Sequence, residues 1–284
     1  MKYHLFFLMF FTSLWVSCTE PINVPGLDDQ SNQLVVDAVF TSENRVHVIY
    51  LSRSTAITNT SFPKETGAIV YLMDDQGNRI DFAEGNPGSY FSTVVAAQPG
   101  HTYMLYVITA NGNRYVSLPE TLTGTPPPIK NLTSFDDSEV DGNGNVVEFA
   151  QIEITLDDPA NEENFYYWYW QSDSLGQFGI PDISWRSATD SDELFNGNEV
   201  VFALEEEFTR SVDRFVKIYQ ATINRDAYVF LSSIKRQIGN EQIPIFPPNR
   251  PLESNLANEN DPKERVLGYF VLANVTADTI RLAP

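Results

Sequence analysis

Short runs of strand-like residues, separated by turns that contain glycine and asparagine, fill residues 33–119. In the first run, LVVDAVFT, residues 34, 36, 38 and 40 lie on one side of an extended chain and the residues between them on the other. Asn111 and Gly112 separate two such runs, and this pair predicts a hairpin with a type I′ turn, in which both central residues have positive φ. About seven such runs predict an immunoglobulin-like β-sandwich over residues 33–122.

Three consecutive prolines in the segment LTGTPPPIK mark a boundary, because a polyproline segment is extended and cannot lie inside a sheet. We therefore predict a proline-rich linker at 123–130 and a second, β-rich domain at 131–284. One helix is expected there, capped by Asn224 and ended by Gly239. The predicted strands of this domain are 146–156, 164–171, 199–204, 214–223, 267–273 and 279–282. The expected fold class is mainly β, with one packed helix.

The chain is strongly acidic, with 38 acidic and 18 basic residues and a net charge of −20. This charge repels phosphate backbones, so nucleic acid is not an expected partner. Hydrophobic residues make up 42% of the chain and aromatic residues 13%, which is enough to form a core.

Cys18 is the single cysteine and follows a basic Lys2 and an apolar run at residues 5–16. As a helix this run spans about 18 Å at 1.5 Å per residue, which is short of a bilayer core of about 30 Å. The pattern predicts a lipoprotein signal at 1–17, cleavage after Ser17 and lipid attachment at Cys18. Residues 18–32 then form a flexible stalk. An ordinary signal peptide that leaves a free thiol is the alternative.

Several phrases occur together in an order typical of one family. They are CTEPI at the start of the mature chain, YLSRS, GSY and GHTY in the first half, and FLSSIKRQ, PIFPPNRPLESN and VLGYF near the end. With them the chain resembles the Bacteroidota lipoprotein family catalogued as domain of unknown function 4249. The resemblance implies an envelope lipoprotein, often encoded near TonB-dependent outer-membrane receptors, and no catalytic residues are established for that family.

Few residues suggest catalysis. His47 and His101 lie in predicted strands, where histidines are usually structural. Ser232 and Lys235 match the SxxK pattern of serine acyl enzymes, but the companion motifs are missing, and a solvated helix face explains them as well. The three glutamates at 205–207 are expected to form a solvated face.

Residues 137–148 have the spacing of a calcium-binding EF-hand loop, with carboxylates at Asp137, Glu139, Asp141 and Glu148 and a glycine at position 6. The flanking residues read as a linker and a strand, whereas an EF-hand needs helices. An acidic turn that leads into a strand is therefore the preferred interpretation, and no metal site is assigned.

Residues 165–170 (FYYWYW) are the densest aromatic run and put large rings on both sides of a strand. Either both sides are core, or one side is a platform that stacks on sugars or peptides.

Together these patterns predict a non-enzymatic lipoprotein without cofactors, held in the outer membrane by the lipid on Cys18. It would act as a binding or accessory module for a TonB-dependent receptor, on either the surface or the periplasmic face. A glycan- or peptide-binding lipoprotein is the first alternative. A hydrolase is the second, and it lacks any convergent set of nucleophile, base or metal ligands.

Overall fold

The computed structural model describes residues 32–55, 62–122, 124–160, 162–179, 187–204, 208–209, 213–239 and 252–283. Within these ranges the chain forms seventeen strands, one α-helix and a short 3-10 helix. The predicted fold class, mainly β with one helix, is confirmed. The predicted signal, Cys18 and nearly all of the stalk lie outside the described residues.

The first half of the chain contains eight strands. They are β1 (Leu34–Thr41), β2 (Arg45–Arg53), β3 (Ile69–Asp74), β4 (Arg79–Glu84), β5 (Ser89–Val95), β6 (Thr102–Ile108), β7 (Arg114–Ser117) and β8 (Glu120–Thr121). The predicted alternation is present, because every second residue of β1 and of β6 is buried. These side chains meet in one apolar core.

The strand order of this half is that of an immunoglobulin-like sandwich. Hydrogen bonding arranges the strands as β1-β2-β5-β4-β3-β6-β7, with β8 beside β6. The second strand thus pairs with the fifth and the third with the sixth, which is the Greek-key arrangement of strands B, E, C and F in that fold. The predicted immunoglobulin-like sandwich is therefore present in this half of the chain.

Tyr103 forms a tyrosine corner, a contact typical of this fold that the sequence analysis did not identify. It lies near the start of β6, and its buried hydroxyl accepts a hydrogen bond of 2.9 Å from the backbone N–H of Gln98 in the β5–β6 connection. Burial raises the pKa of the Tyr103 phenol, while the Gln98 bond opposes the rise. The contact fixes the connection between β5 and β6.

Replacing Tyr103 by phenylalanine should lower the free energy of unfolding by about 1–2 kcal/mol, because the Gln98 N–H would lose its acceptor. Urea denaturation of the folded chain measures the change. Tyr106→Phe is the matched control, since the contact described for the Tyr106 hydroxyl is a long one, with the Met104 sulfur at 3.8 Å. Equal stabilities for the two variants would contradict the structural role assigned to the Tyr103 hydroxyl.

Three hairpins use the same five-residue turn, at residues 74–78, 109–113 and 141–145. In each, the first residue pairs with the fifth, the N–H of the fourth residue donates to the carbonyl of the first, and that fourth residue is a glycine with φ between 84° and 90°. This is a type I turn followed by a glycine bulge. The hairpin predicted at Asn111 and Gly112 is therefore confirmed, but the type I′ turn is wrong, because Asn111 does not have positive φ.

The second half begins with two long strands. Its elements are β9 (Asn131–Val140), β10 (Val146–Asp157), β11 (Phe165–Asp173), β12 (Ser187–Ser191), a 3-10 helix (Asp192–Leu194), β13 (Glu199–Ala203), β14 (Phe208–Thr209), β15 (Arg214–Thr222), α1 (Arg225–Gly239), β16 (Leu256–Asn258) and β17 (Leu267–Leu282). The sequence pattern does not predict β9, β12, β14 or β16.

The elements of the second half pack in layers around β11 and β15. One face of these two strands packs against the four-stranded sheet of β9, β10, β13 and β14, in a core that contains Trp168, Ile152 and Ile154. The other face packs against α1, through Tyr167, Ala227 and Phe230. Asn224 caps α1 as predicted, because its side-chain oxygen accepts the N–H of Ala227 at 2.8 Å. Among the described residues, no helix has the length and apolar composition needed to cross a membrane.

The last strand, β17, connects the two halves. Its residues 267–273 pair in parallel with β1, and residues 274–282 pair antiparallel with β15. The prediction of two separate strands, 267–273 and 279–282, is wrong, because residues 267–282 form one strand. Because β16 also pairs with β7, the first sandwich contains strands from a segment that the sequence analysis assigned to the second domain.

The predicted linker at 123–130 contains no strand in its described residues, 124–130. It is nevertheless held against the second half. The side chain of Gln220 donates to the carbonyl of Pro127, and that of Asn274 donates to the carbonyl of Gly124, both at 2.6 Å. Pro126 and Pro127 are buried. The segment is therefore a packed connection, and the expected extended spacer is not observed.

Candidate functional site

A β-hairpin that projects beyond the second core is the most conspicuous surface feature of the described residues. We call residues 136–148 the acidic arm. It comprises the end of β9, the turn at 141–145 and the start of β10, and its register runs from Asp136 opposite Ala150 to Val140 opposite Val146. All five β9 residues of the arm are exposed, whereas β10 enters the core at Phe149.

Two exposed valines, which we call the valine tip, flank the polar turn of the acidic arm, and acidic side chains lie along its strands. Val140 and Val146 face each other and are 68% and 67% exposed. Five acidic residues lie within the arm, and it contains no lysine or arginine. An isolated two-stranded hairpin is marginally stable in water, and an apolar patch within a charged rim is typical of an interaction site. The arm therefore has the properties of a protein contact.

The structure explains why the EF-hand spacing at 137–148 does not form a calcium loop. Successive residues of a strand point to opposite faces, so Asp137 and Glu139 lie on one face of the hairpin. Glu148 pairs with Ser138 and lies on the other face. The four carboxylates of the motif cannot converge in this geometry. The described residues contain no group of three or more histidine, cysteine, aspartate or glutamate side chains that could hold a metal ion.

The Asp141 carboxylate has a structural role in the turn of the arm. It accepts hydrogen bonds from the backbone N–H groups of Asn143 and Asn145, at 2.8 and 2.9 Å, and from the side chain of Asn145 at 3.0 Å. These bonds lower the pKa of Asp141. Asp74 makes equivalent bonds in its own turn, which shows that the contacts are typical of this hairpin type.

His47 and His101 have separate partners and do not form a shared site. His47 is fully buried, and its Nε2 is hydrogen-bonded to the carbonyl of Val95 at 3.0 Å. Burial, with a smaller contribution from the nearby Arg45, lowers the pKa of His47 to about 4, so the ring is neutral near pH 7. His101 lies near the surface and contacts Asp75 through Nδ1 at 2.9 Å.

Ser232 and Lys235 lie on the outer side of α1. The hydroxyl of Ser232 donates to the carbonyl of Val229 in the preceding turn at 3.2 Å, which is a common contact of a helical serine. Lys235 is exposed. The observed contact of Ser232 supports the solvated-face interpretation of the SxxK pattern. The glutamates at 205–207 lie outside the described residues.

The aromatic run at 165–170 is buried on both sides. Tyr166, Trp168 and Trp170 belong to the core beneath the four-stranded sheet, and Phe165, Tyr167 and Tyr169 to the core beneath α1. All six rings are at most 8% exposed. The platform alternative is therefore wrong for these residues, since a stacking surface needs accessible ring faces.

The acidic arm was missed because its sequence has no strand alternation. Its β9 residues are mostly polar on both faces. This composition is expected of a strand that is solvated on both faces, but it is equally typical of a loop. The available signal was the turn, because residues 141–145 (DGNGN) and 109–113 (TANGN) share the ending NGN. A hairpin could have been inferred at both places.

Comparisons with known proteins identify a family for this chain but no curated relative. The search of curated proteins finds no match. Among solved structures, the crystal structure of the FN1–FN3 domains of chicken CNTN1 is similar at 14% identity and a TM-score of 0.18. The match covers 67% of this chain and 59% of that chain. At that TM-score it carries no argument here about fold or function.

A family model described as "Domain of unknown function (DUF4249)" matches residues 19–279. The match covers both halves of the fold, from the residue after Cys18 to the last residues of β17. The chain therefore belongs to the DUF4249 family.

Proposed function

We propose that the protein is a non-enzymatic, lipid-anchored module of the outer membrane that binds a partner protein through the acidic arm. The observation that carries the proposal is the arm itself, an exposed hairpin with two exposed valines beside its turn and acidic residues along its strands. The sequence supports the anchor, because Cys18 follows a short apolar signal and precedes a stalk. A TonB-dependent receptor is the proposed partner, and this part rests on the family resemblance.

The anchor can be tested at Cys18. Cys18→Ala should move the protein from the membrane fraction to the soluble fraction, because two or more acyl chains bind a bilayer firmly and the variant has none. Fractionation after cell lysis measures the distribution, and mass spectrometry of the first mature residue reports the modification. Unchanged membrane association of the variant, or an unmodified Cys18 in the native protein, would contradict the anchor.

The arm can be tested by replacing both of its exposed valines. Val140→Ser with Val146→Ser should reduce recovery of the bound partner more than tenfold, because the two valines would lose their apolar contact with it. The measurement is affinity capture of the native lipoprotein from gently solubilised outer membrane, with quantitative identification of co-purifying proteins. We expect a TonB-dependent receptor among the proteins that are lost.

Val94→Ser is the matched control for the arm, since Val94 is 61% exposed on β5 in the first sandwich. It should leave recovery unchanged. Equal recovery with all variants would show that the arm is not the contact. If recovery falls but the lost protein is not a TonB-dependent receptor, the arm remains the proposed contact, and the receptor is rejected as its partner.

A further inference from the structure

We propose that the outer edge of β9 in the acidic arm binds an extended, positively charged peptide segment, which adds to the sheet as a further strand. The inference rests on the proposed function and names the chemistry of the partner. It concerns backbone pairing along the edge, which is separate from the contact at the valine tip.

The edge is open within the described residues. There, β9 pairs in register with β10 and with no other strand. A strand with one paired side presents unpaired backbone groups on its other side, and an extended peptide can pair with them. In the acidic arm this edge lies beyond the core, so a peptide can approach without displacing any packed side chain.

The register identifies which backbone groups face outward. The N–H of Asp141 donates to the carbonyl of Asn145, which makes these two residues a hydrogen-bonded pair. Because such pairs alternate along an antiparallel ladder, the backbone groups of Glu139 and Asp137 face β10. Those of Ser138 and Val140 face the open edge. In agreement, the N–H of Ser138 donates to the exposed Asp137 carboxylate and not to β10, and a carbonyl of an added strand would replace this local acceptor.

The negative charge along the edge favours a positively charged partner. Asp137 and Glu139 lie along it, and the whole chain has a net charge of −20. A second copy of this chain would bring like charges together, which opposes self-pairing and protects the edge from aggregation. The same charges attract a cationic strand and increase its rate of association. The exposed Phe135 and Val140 lie on opposite faces and can contact the aliphatic parts of lysine side chains.

The experiment uses the mature chain and a labelled ten-residue peptide of alternating lysine and threonine. Fluorescence anisotropy at low ionic strength measures its affinity. The matched probe has the same sequence with N-methyl groups on its four central residues, which keeps every charge but blocks both hydrogen-bonding edges. We expect the methylated peptide to bind at least tenfold more weakly.

Three variants of the protein test strand addition without any change to the peptide. Ser138→Pro removes an outward-facing N–H without removing a bond to β10. It should weaken binding of the unmodified peptide at least tenfold. Ser138→Ala keeps that N–H and should bind like the native chain. Asp137→Asn with Glu139→Gln should weaken binding several-fold and reduce its salt dependence.

Absence of binding by the unmodified peptide would overturn strand addition, and so would equal binding of the two peptides. Equal binding would identify the attraction as electrostatic only. Because the methylated peptide leaves the protein unchanged, this result does not depend on whether Ser138→Pro folds. Failure here would leave the valine-tip capture experiment unaffected, so the two proposals can fail separately.

Discussion

Replacing Gly268 by alanine should prevent β17 from pairing with β1 and lower the free energy of unfolding by more than about 4 kcal/mol. Gly268 has a φ of 84°, which L-amino acids with a side chain rarely adopt. A Cβ at this position would lie 1.9 Å from the carbonyl oxygen of Val36. That oxygen belongs to the backbone of β1, which is paired on both sides and cannot move without breaking the sheet.

Gly112→Ala separates the steric effect from the conformational one. Gly112 has a φ of 90°, but no atom lies within 4 Å of a Cβ built there. The free energy of unfolding of this variant should fall by only about 1–2 kcal/mol, which is the cost of placing a residue with a side chain in the left-handed conformation. Urea denaturation compares the two, with circular dichroism to detect a Gly268→Ala chain that does not fold. Similar losses for both variants would contradict the parallel pairing of β1 with β17.

The sequence predicts the first sandwich well, because its strands are buried on one face only. Residues such as Leu34 and Val36 of β1 are buried while the residues between them are partly exposed, and this difference produces the alternation. The pairing of β1 with residues 267–273 could not be predicted in the same way. It joins the two ends of the chain, and no local pattern reports a contact between residues so far apart in sequence.

The candidate site was predicted only in part. The acidic character of residues 137–148 is visible in the sequence, but the EF-hand spacing suggested convergence, which strand geometry prevents at Glu148. The aromatic run was predicted as a strand, yet its apolar residues on both faces did not show whether either face was accessible. Burial on both sides follows from α1 and the four-stranded sheet, which pack from opposite directions.

The buried carboxylate of Glu120 is the second feature with a large expected effect. Its Oε1 accepts a hydrogen bond of 2.9 Å from the side chain of Asn255, and its Oε2 accepts one from the side chain of Asn224. Asn255 also bonds to the backbone N–H and carbonyl of Phe270 in β17, at 2.9 and 2.8 Å. Together these bonds connect β8, the cap of α1 and the strand that joins the two halves.

Asn255→Leu should lower the free energy of unfolding by about 3–5 kcal/mol near pH 7. The change leaves two backbone groups of Phe270 and one oxygen of a buried carboxylate without these partners, and each such loss costs about 1–3 kcal/mol. Asn145→Leu is the control, because Asn145 is exposed and its side chain bonds to Asp141 at the surface. We expect the free energy of unfolding of the control to fall by less than about 1 kcal/mol.

The loss caused by Asn255→Leu should also depend on pH. Burial raises the pKa of Glu120 above its usual value of 4.5, and the Asn255 hydrogen bond opposes this rise. Without Asn255 the pKa rises further, so the ionised carboxylate is less stable in the folded variant than in the folded native chain. A carboxyl whose pKa is raised in the folded state contributes stability below its usual pKa of about 4.5. That stability is lost as the pH rises through the folded-state pKa. The difference between variant and native chain should therefore be largest near pH 7 and shrink towards pH 4.5. Urea denaturation across this range measures it, and a pH-independent difference would show that Asn255 acts on Phe270 alone.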